Sequence, residues 1–240
     1  MTDLVVTPIE GLPRVAAGDD LGAMIRAATE LAPGDVVVVA QKVVSKAEGR
    51  VVDLATVEPR AEAVAIAGGV EDPRFVEMVL RESVRIVRRR GSLLICETRH
   101  GLVCASAGVD RSNAPHADRV VLLPLDPDAS AGRIRAGLPD GVAVLVSDSF
   151  GRPFRQGISG VAIGCAGIEA LDDRIGQPDD DGRPFAGTIV HVADELAAIA
   201  DHVMGPAGGV PAVRIRGASI TAGGTGAAAT AMPADRDLFR

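Results

Sequence analysis

The chain has 240 residues, and its 25 lysines and arginines against 32 aspartates and glutamates give a formal net charge of −7 at pH 7. This surplus of negative charge argues against a protein that binds a phosphate backbone. Aromatic residues make up 2%, with five Phe and neither Trp nor Tyr. The chain therefore has few side chains on which the bases of a single-stranded nucleic acid could stack. We expect no nucleic-acid partner.

The N-terminal segment MTDLVVTPIEGLP has no basic stretch before an apolar run, and no later stretch reaches the about 20 apolar residues of a membrane span. Cys96, Cys104 and Cys165 are odd in number and show no Cys-x-x-Cys spacing, which is typical of reduced thiols. These features predict a soluble, cytoplasmic protein with no membrane partner.

The first elements follow from apolar spacing and turn residues. Asp19 and Asp20 precede apolar residues three or four positions apart, which predicts a helix behind an acidic N-cap that ends before Pro33. The β-branched run 36–40 predicts a buried strand. A second short strand is predicted at 51–52, and the loop between the two strands carries two lysines.

A longer helix is predicted from the aspartate and proline at 72–73, which form an N-cap and a first helical position. Its apolar positions continue to Val87, and three arginines at 88–90 precede Gly91. We interpret these arginines as cations in a last helical turn that complement the helix dipole and meet solvent. Phosphate binding is the alternative.

Further strands are predicted at 92–96, 101–107, 119–123, 142–147, 187–192 and 212–216, and further helices near 128–137, 160–171 and 193–204. Because strands and helices mix without strict alternation, the order favours an α+β protein with mixed sheets and packed helices over a doubly wound sheet. The Pro-, Gly- and Asp-rich stretch 172–187 predicts an excursion or a link to a small subdomain. The tail from Gly217 has a composition typical of loose order.

Two familiar nucleotide motifs are absent, because the chain has neither a P-loop nor a strand-linked Gly-x-Gly-x-x-Gly. The glycine-rich stretch 223–226 lacks the lysine and the preceding strand, so we assign it to the tail. Cys96, His100 and Cys104 share parity on an extended chain and suggest a metal cluster, but a turn at 99–101 explains the spacing better. No fourth ligand stands at a recognisable interval.

A carboxylate and a hydroxyl follow the strand predicted at 142–147. Asp148 and Ser149 would lie where the chain turns out of the sheet, a position suited to a metal ion that carries a phosphate. Arg152 and Arg155 would neutralise remaining charge. A simple turn capped by Asp148 is the structural alternative.

Two other segments offer complementary groups. Asp110 follows an apolar stretch and Gly108, and it would supply a second carboxylate, although an ordinary Asx turn accounts for it equally well. The segment 41–49 offers two lysines and a serine as a phosphate clamp, and solvent-exposed lysines are the alternative.

Together and in this order, these segments resemble the coenzyme F420-0:L-glutamate ligases, also called F420 gamma-glutamyl ligases. The resemblance spans nearly the whole chain through six stretches, 8–13, 41–50, 97–113, 147–152, 192–197 and 237–240. It implies an α+β fold of two intimately associated subdomains that forms an intertwined homodimer. We expect one catalytic unit over residues 1–240 with a subdomain inserted around 70–190. We do not expect the C-terminal flavin-reductase-like domain that some relatives carry.

The resemblance implies a GTP- and divalent-metal-dependent ligase that joins L-glutamate to the carboxylate of coenzyme F420-0, or of its dehydro form, and later adds γ-linked glutamates. An acyl phosphate would be the intermediate. The expected cofactors are two divalent ions, Mg²⁺ or Mn²⁺, with K⁺ as a further candidate. Two other functions remain open, a deazaflavin- or nucleotide-binding protein that has lost catalysis and a metal-dependent phosphotransferase on another small carboxylic acid.

The resemblance also implies roles for individual residues. The metal ligands would be Asp110, Asp148 and Ser149, the last in place of a common Thr, and the catalytic residues would be Asp110, Asp148 and Lys46. The nucleotide would contact Leu12, Pro13, Arg14, Gln41, Lys46 and Asn113, where Gln41 occupies a position at which some relatives have Ser. Asp194 and Glu195 match a further acidic motif to which the resemblance assigns no role.

Overall fold

A computed structural model describes residues 3–112, 114, 116–205 and 208–238. The helices are α1 (Leu21–Ala28), α2 (Gln41–Ala47), α3 (Ala61–Ala67), α4 (Pro73–Glu82), α5 (Pro127–Ala136) and α6 (Val192–Met204). The strands are β1 (Val5–Pro8), β2 (Val36–Ala40), β3 (Val51–Asp53), β4 (Ser83–Arg90), β5 (Leu93–Thr98), β6 (Val103–Ala105), β7 (Arg119–Val121), β8 (Ala143–Arg152), β9 (Arg155–Ala166), β10 (Asp172–Asp173), β11 (Ile189–Val190) and β12 (Ala212–Arg216).

The largest sheet has the strand order β1-β12-β2-β8-β9. Strands β2 and β8 run parallel, in a register that pairs Ala40 with Ser147, and the other neighbours are antiparallel. Successive side chains of a strand point to opposite faces, and in β2 this divides the valines between two cores. Val36 and Val38 pack in the core with α6, whereas Val37 and Val39 pack in the core with α1 and α5. Helices therefore cover both faces of the sheet.

A third hydrophobic cluster lies outside this sheet. Its buried members run from Leu54 to Leu122 and come mainly from α3, α4, β5 and β7. Two small sheets, β4-β5-β6 and β3-β7, accompany it, and a separate hairpin pairs β10 with β11. The mixed sheets and packed helices confirm the α+β class, and the subdomain boundaries around 70–190 stay a prediction.

Three predicted elements are wrong. The segment 160–171 is mostly the strand β9 rather than a helix, and 41–47 is the helix α2 rather than a loop. The helix that begins at Pro73 ends at Glu82, because Ser83 is extended and the following residues pair with β5. The arginines 88–90 therefore lie on a strand, and their assignment to a last helical turn is also wrong.

Asp148 and Ser149 do not lie in a turn. Strand β8 continues through both residues to Arg152, and the hairpin to β9 closes where Arg152 pairs with Arg155. Both arginines are exposed at this tip. Asp148 and Ser149 both pair with β9, which fixes their backbone more firmly than a loop would.

The three cysteines, Cys96, Cys104 and Cys165, are buried free thiols, as the sequence predicts. No helix in the described part of the chain combines the length and the apolar character needed to cross a membrane.

Candidate active site

The site begins where β2 ends beside the middle of β8, at the pair formed by Ala40 and Ser147. Parallel strands deliver the residues that follow them to the same edge of a sheet, where open α/β sheets bind their ligands. Strand β2 passes directly into α2, which carries Lys42 and Lys46, and β8 continues beyond Ser147 into Asp148. The lysines and the carboxylate come together because the two strands are in register.

Asp110 reaches the same place from another part of the chain. Its backbone forms an isolated antiparallel bridge with Val121 at the end of β7. The ammonium of Lys42 lies 2.8 Å from Asp110 Oδ2, and the amide of Ser112 donates to Oδ1 at 2.6 Å. Burial alone would raise the pKa of Asp110, but these bonds outweigh it and hold the pKa below the ordinary value.

Asp148 has the opposite electrostatic setting. Burial raises the pKa of its carboxyl to about 7, and the negative charges of Asp110 and Asp201 act in the same direction. The amide of Ser149, 2.9 Å from Asp148 Oδ1, and the charge of Lys42 offset only part of this effect. A buried carboxyl whose charged form is disfavoured in this way is stabilised when a cation binds beside it.

Ser149 connects the site to α6. Its hydroxyl donates to Asp201 Oδ1 at 2.7 Å. Asp201 stands in the last part of α6, which packs against β9 and the core around Ala197 and Ala200. The hydroxyl of Ser149 is thus oriented by a carboxylate from a different element.

Positive charge gathers beside the carboxylates. The pKa of Lys46 is lowered by burial and by the neighbouring charges of Lys42 and Arg14. Like charges of this kind are costly unless an anion lies between them, so the arrangement is suited to a phosphate. Leu12 packs against the core beneath the sheet, while Pro13 and Arg14 are exposed beside it.

A family model described as F420-0:Gamma-glutamyl ligase matches residues 11–217, which contain every element from α1 to β12. The chain belongs to this ligase family. The match includes the lysines of α2, Asp110, Asp148 and Asp201.

Curated relatives named coenzyme F420:L-glutamate ligase agree with this assignment. The protein of Halorubrum lacusprofundi is 48% identical over 216 residues, 87% of this chain and 85% of its own length. The protein of Methanothermobacter thermautotrophicus is 46% identical over 220 residues, 87% of each chain. That of Archaeoglobus fulgidus is 41% identical over 226 residues, 92% of this chain and 90% of its own length.

Resemblance to the ligase family implies nucleotide contacts for Gln41 and Asn113. Gln41 is buried, and its amide nitrogen donates to Ser45 Oγ at 2.6 Å and to the carbonyl of Leu122 at 3.1 Å. It therefore joins α2 to the segment after β7, and its contact with a nucleotide stays a prediction. Asn113 lies outside the described residues.

The remaining sequence candidates in this member of the ligase family are the cluster of Cys96, His100 and Cys104 and the acidic pair Asp194 and Glu195. Cys96 lies opposite Cys104 on paired strands with His100 in the turn beyond, and no group of three or more His, Cys, Asp or Glu able to hold a metal occurs among the described residues. Asp194 accepts the amide of Ala162 at 2.8 Å and so fastens the start of α6 to β9. Glu195 is exposed.

Sequence reasoning missed one residue of the site and left another without a specific contact. Lys42 was part of the expected phosphate clamp, but no individual contact was assigned to it. In the sequence, Asp201 is only a polar position on an apolar helix. Its contact with Ser149 joins residues 52 positions apart, so local spacing does not reveal it.

Proposed function

We propose that this chain is a GTP-dependent ligase that joins L-glutamate to coenzyme F420-0 through an amide bond and then adds γ-linked glutamates. Membership of the F420-0:gamma-glutamyl ligase family supports the ligase class. The single observation that carries the mechanism is the meeting of Asp110 and Asp148 beside Lys42, where β2 ends next to β8.

The reaction needs an activated acid because a free carboxylate is a poor acyl donor. We propose that the acid attacks the γ-phosphorus of GTP, so that an acyl phosphate forms and GDP leaves. The amine of glutamate then attacks the acyl carbon, the carbon–nitrogen bond forms, and inorganic phosphate leaves as the nitrogen gives up a proton. Holding such reactants in place can lower a barrier by roughly 7–11 kcal/mol.

In the first step two anions, the acid and the terminal phosphate of GTP, must approach each other. Cationic side chains of this chain would offset their repulsion. Lys42 and Arg14 are close enough to Lys46 to lower its pKa, and Lys42 also pairs with Asp110. We propose that these groups bind the phosphates of GTP and hold the terminal phosphorus toward the acid.

The donor set fits Mg²⁺ or Mn²⁺, which prefer hard oxygen ligands. Mg²⁺ is usually held by one or two carboxylates together with substrate phosphates, so a site with fewer than three acidic ligands suffices. Asp110, Asp148 and the hydroxyl of Ser149 would hold the ions, and the burial that disfavours the charged form of Asp148 supports a cation beside it. Bound divalent ions supply charge neutralisation at the phosphates.

The test is incorporation of labelled glutamate into coenzyme F420-0 with GTP and Mn²⁺. Asp148→Ala should keep its fold by circular dichroism and lose at least about 100-fold in rate, the scale expected when electrostatic stabilisation of a transferring group is removed. Asp140→Ala is the matched control, because Asp140 is an exposed aspartate just before the same strand.

Three outcomes would contradict the proposal. Full activity of Asp148→Ala would contradict the role of Asp148 in the reaction. Unchanged activity after chelation would contradict the dependence on a metal ion. Turnover of GTP without glutamate and without an amide product would indicate a phosphotransferase acting on the acid.

A further inference from the structure

The close approach of α6 to β9 places Asp201 against Ser149. Ser149 pairs with Gly160 across the hairpin, and a Cβ at Gly160 would collide with the carbonyl of Ala197 and with Asp201 itself. Because Gly160 has no side chain, this turn of the helix lies directly on the strand. The distance of 2.7 Å from Ser149 Oγ to Asp201 Oδ1 follows from that packing.

The helix itself does not account for an acid at this position. Asp201 lies in the final turn of α6, where the unpaired carbonyl groups give the helix its negative end and an acidic side chain is unfavourable. Among the described residues, no Lys, Arg or His nitrogen forms a salt bridge with its carboxylate. The bond to Ser149 is therefore the contact that accounts for an acid at this position.

We propose that Asp201 is a positioning residue that turns the hydroxyl of Ser149 into a cation ligand, an inference that rests on the proposed function. A serine hydroxyl has one proton and two lone pairs. When Asp201 accepts the proton, both lone pairs are left for a divalent ion, and the rotation of the hydroxyl is fixed. Carboxylates that orient a ligand in this way typically change metal affinity by about 10–100-fold.

The experiment is a double-mutant cycle read by Mn²⁺ binding. The free Mn²⁺ signal in electron paramagnetic resonance gives the affinity, with GDP present, for the unaltered chain, Asp201→Ala, Ser149→Ala and the double variant. We expect Asp201→Ala to weaken binding by about tenfold in the unaltered chain. In the Ser149→Ala background the same change should have an effect below about twofold, because the residue acts through the missing hydroxyl.

Matched variants separate positioning from a general change in the helix. His202→Ala alters an exposed neighbour on α6 and should leave Mn²⁺ affinity unchanged. Asp201→Leu keeps a similar size without an acceptor and replaces Asp201→Ala if that variant melts early. In Asp201→Ala and in Asp201→Leu, a high concentration of Mn²⁺ should restore the rate of glutamate incorporation.

The outcomes distinguish this inference from the proposed function. Equal losses in both backgrounds would overturn the positioning role and leave the metal-dependent ligase intact. If the unaltered chain binds no Mn²⁺, the metal dependence in the proposed function fails and the inference falls with it.

Discussion

At the scale of single residues, Glu77 shows how a buried charge is retained. The side chain in α4 is almost fully buried, and burial alone would raise the pKa of its carboxyl. The backbone amide of Arg60, at 3.0 Å, and the guanidinium groups of Arg81 and Arg60 reverse this and lower the pKa to about 2. Glu77 therefore joins α4 to the residue that precedes α3.

This setting gives a pH-dependent contribution to stability. In the unfolded chain Glu77 titrates near its ordinary pKa of 4.5, and in the folded chain near 2, so its stabilisation is complete above the first value and is lost as the pH falls toward the second. We expect Glu77→Gln to lower the free energy of unfolding at pH 7 by roughly 1.5–3 kcal/mol, the scale of hydrogen bonds to a charged group. Urea denaturation at pH 7 and pH 3 measures the change in the free energy of unfolding.

The matched control is Glu62→Gln, an exposed glutamate in the first turn of α3, which should change stability by less than about 0.5 kcal/mol. The difference between the Glu77→Gln variant and the unaltered chain should shrink at pH 3. A difference that stays constant between the two pH values would contradict the assigned ion pairs.

At the scale of elements, β9 is packed between two helices, α5 and α6. The glycines of β9 determine how closely each helix approaches the strand. Gly164 faces the start of α5, where an added Cβ would collide with the carbonyl oxygen of Pro127. We expect Gly164→Ala to destabilise the fold by about 1–3 kcal/mol, the range for overpacking a close contact. Thermal denaturation followed by circular dichroism measures the change.

Gly132 provides the contrasting substitution. It lies inside α5, and a Cβ there meets nothing within 4 Å. Gly132→Ala should stabilise the fold by about 0.5–1 kcal/mol, because alanine loses less backbone freedom in a helix. A stable Gly164→Ala variant beside an unstable Gly132→Ala variant would refute this account of the packing.

Element prediction succeeded where turn residues or a clear cap bound the element. The strand β2, bounded by turn residues, and the helix α5, which begins after Asp126, match the sequence pattern closely. The strand β9 was mistaken for a helix because both of its faces are covered, so apolar residues fill it without alternation. Pairing with β5 converts residues 83–90 into a strand despite their helical spacing, a tertiary effect that local patterns do not contain.

The candidate site was predictable only in part, for a similar reason. Asp110 and Asp148 were candidates as carboxylates after apolar stretches and through the family resemblance, but their meeting depends on the parallel pairing of β2 and β8 and on the bridge to Val121. The bonds from Lys42 to Asp110 and from Ser149 to Asp201 join distant segments. No local spacing encodes such pairs.

At the scale of the whole molecule, the sheet joins the first and the last of the described strands, β1 and β12. Strand β1 pairs with β12, and Arg216 at the end of β12 binds the buried Asp35 just before β2 at 2.6 and 2.7 Å. Burial alone would raise the pKa of Asp35, but the bonds from Arg216 and from the amide of Ala32 lower it. Strand β2, which leads into the lysines of α2, is thus held at its start by the C-terminal strand.

Because the site gathers residues from both sides of this sheet, a ligand bound there should stabilise the whole fold. A ligand present at about 100 times its Kd adds about 2.7 kcal/mol, which for a chain of this size raises Tm by roughly 5–10 °C. We expect GTP with Mn²⁺ to produce such a shift. Circular dichroism at 222 nm is the suitable signal, since the chain has neither Trp nor Tyr.

The same lack of Trp and Tyr makes bound ligand visible, because the protein itself scarcely absorbs at 280 nm. A guanine nucleotide or a deazaflavin retained through purification should dominate the ultraviolet and near-visible spectrum, and it must be removed before melting. Asp148→Ala should then lose most of the shift produced by GTP with Mn²⁺, whereas Asp140→Ala should keep it. An equal shift in both variants would mean that the nucleotide and its ion bind elsewhere, since Asp148 belongs to the site and Asp140 precedes the opposite end of β8.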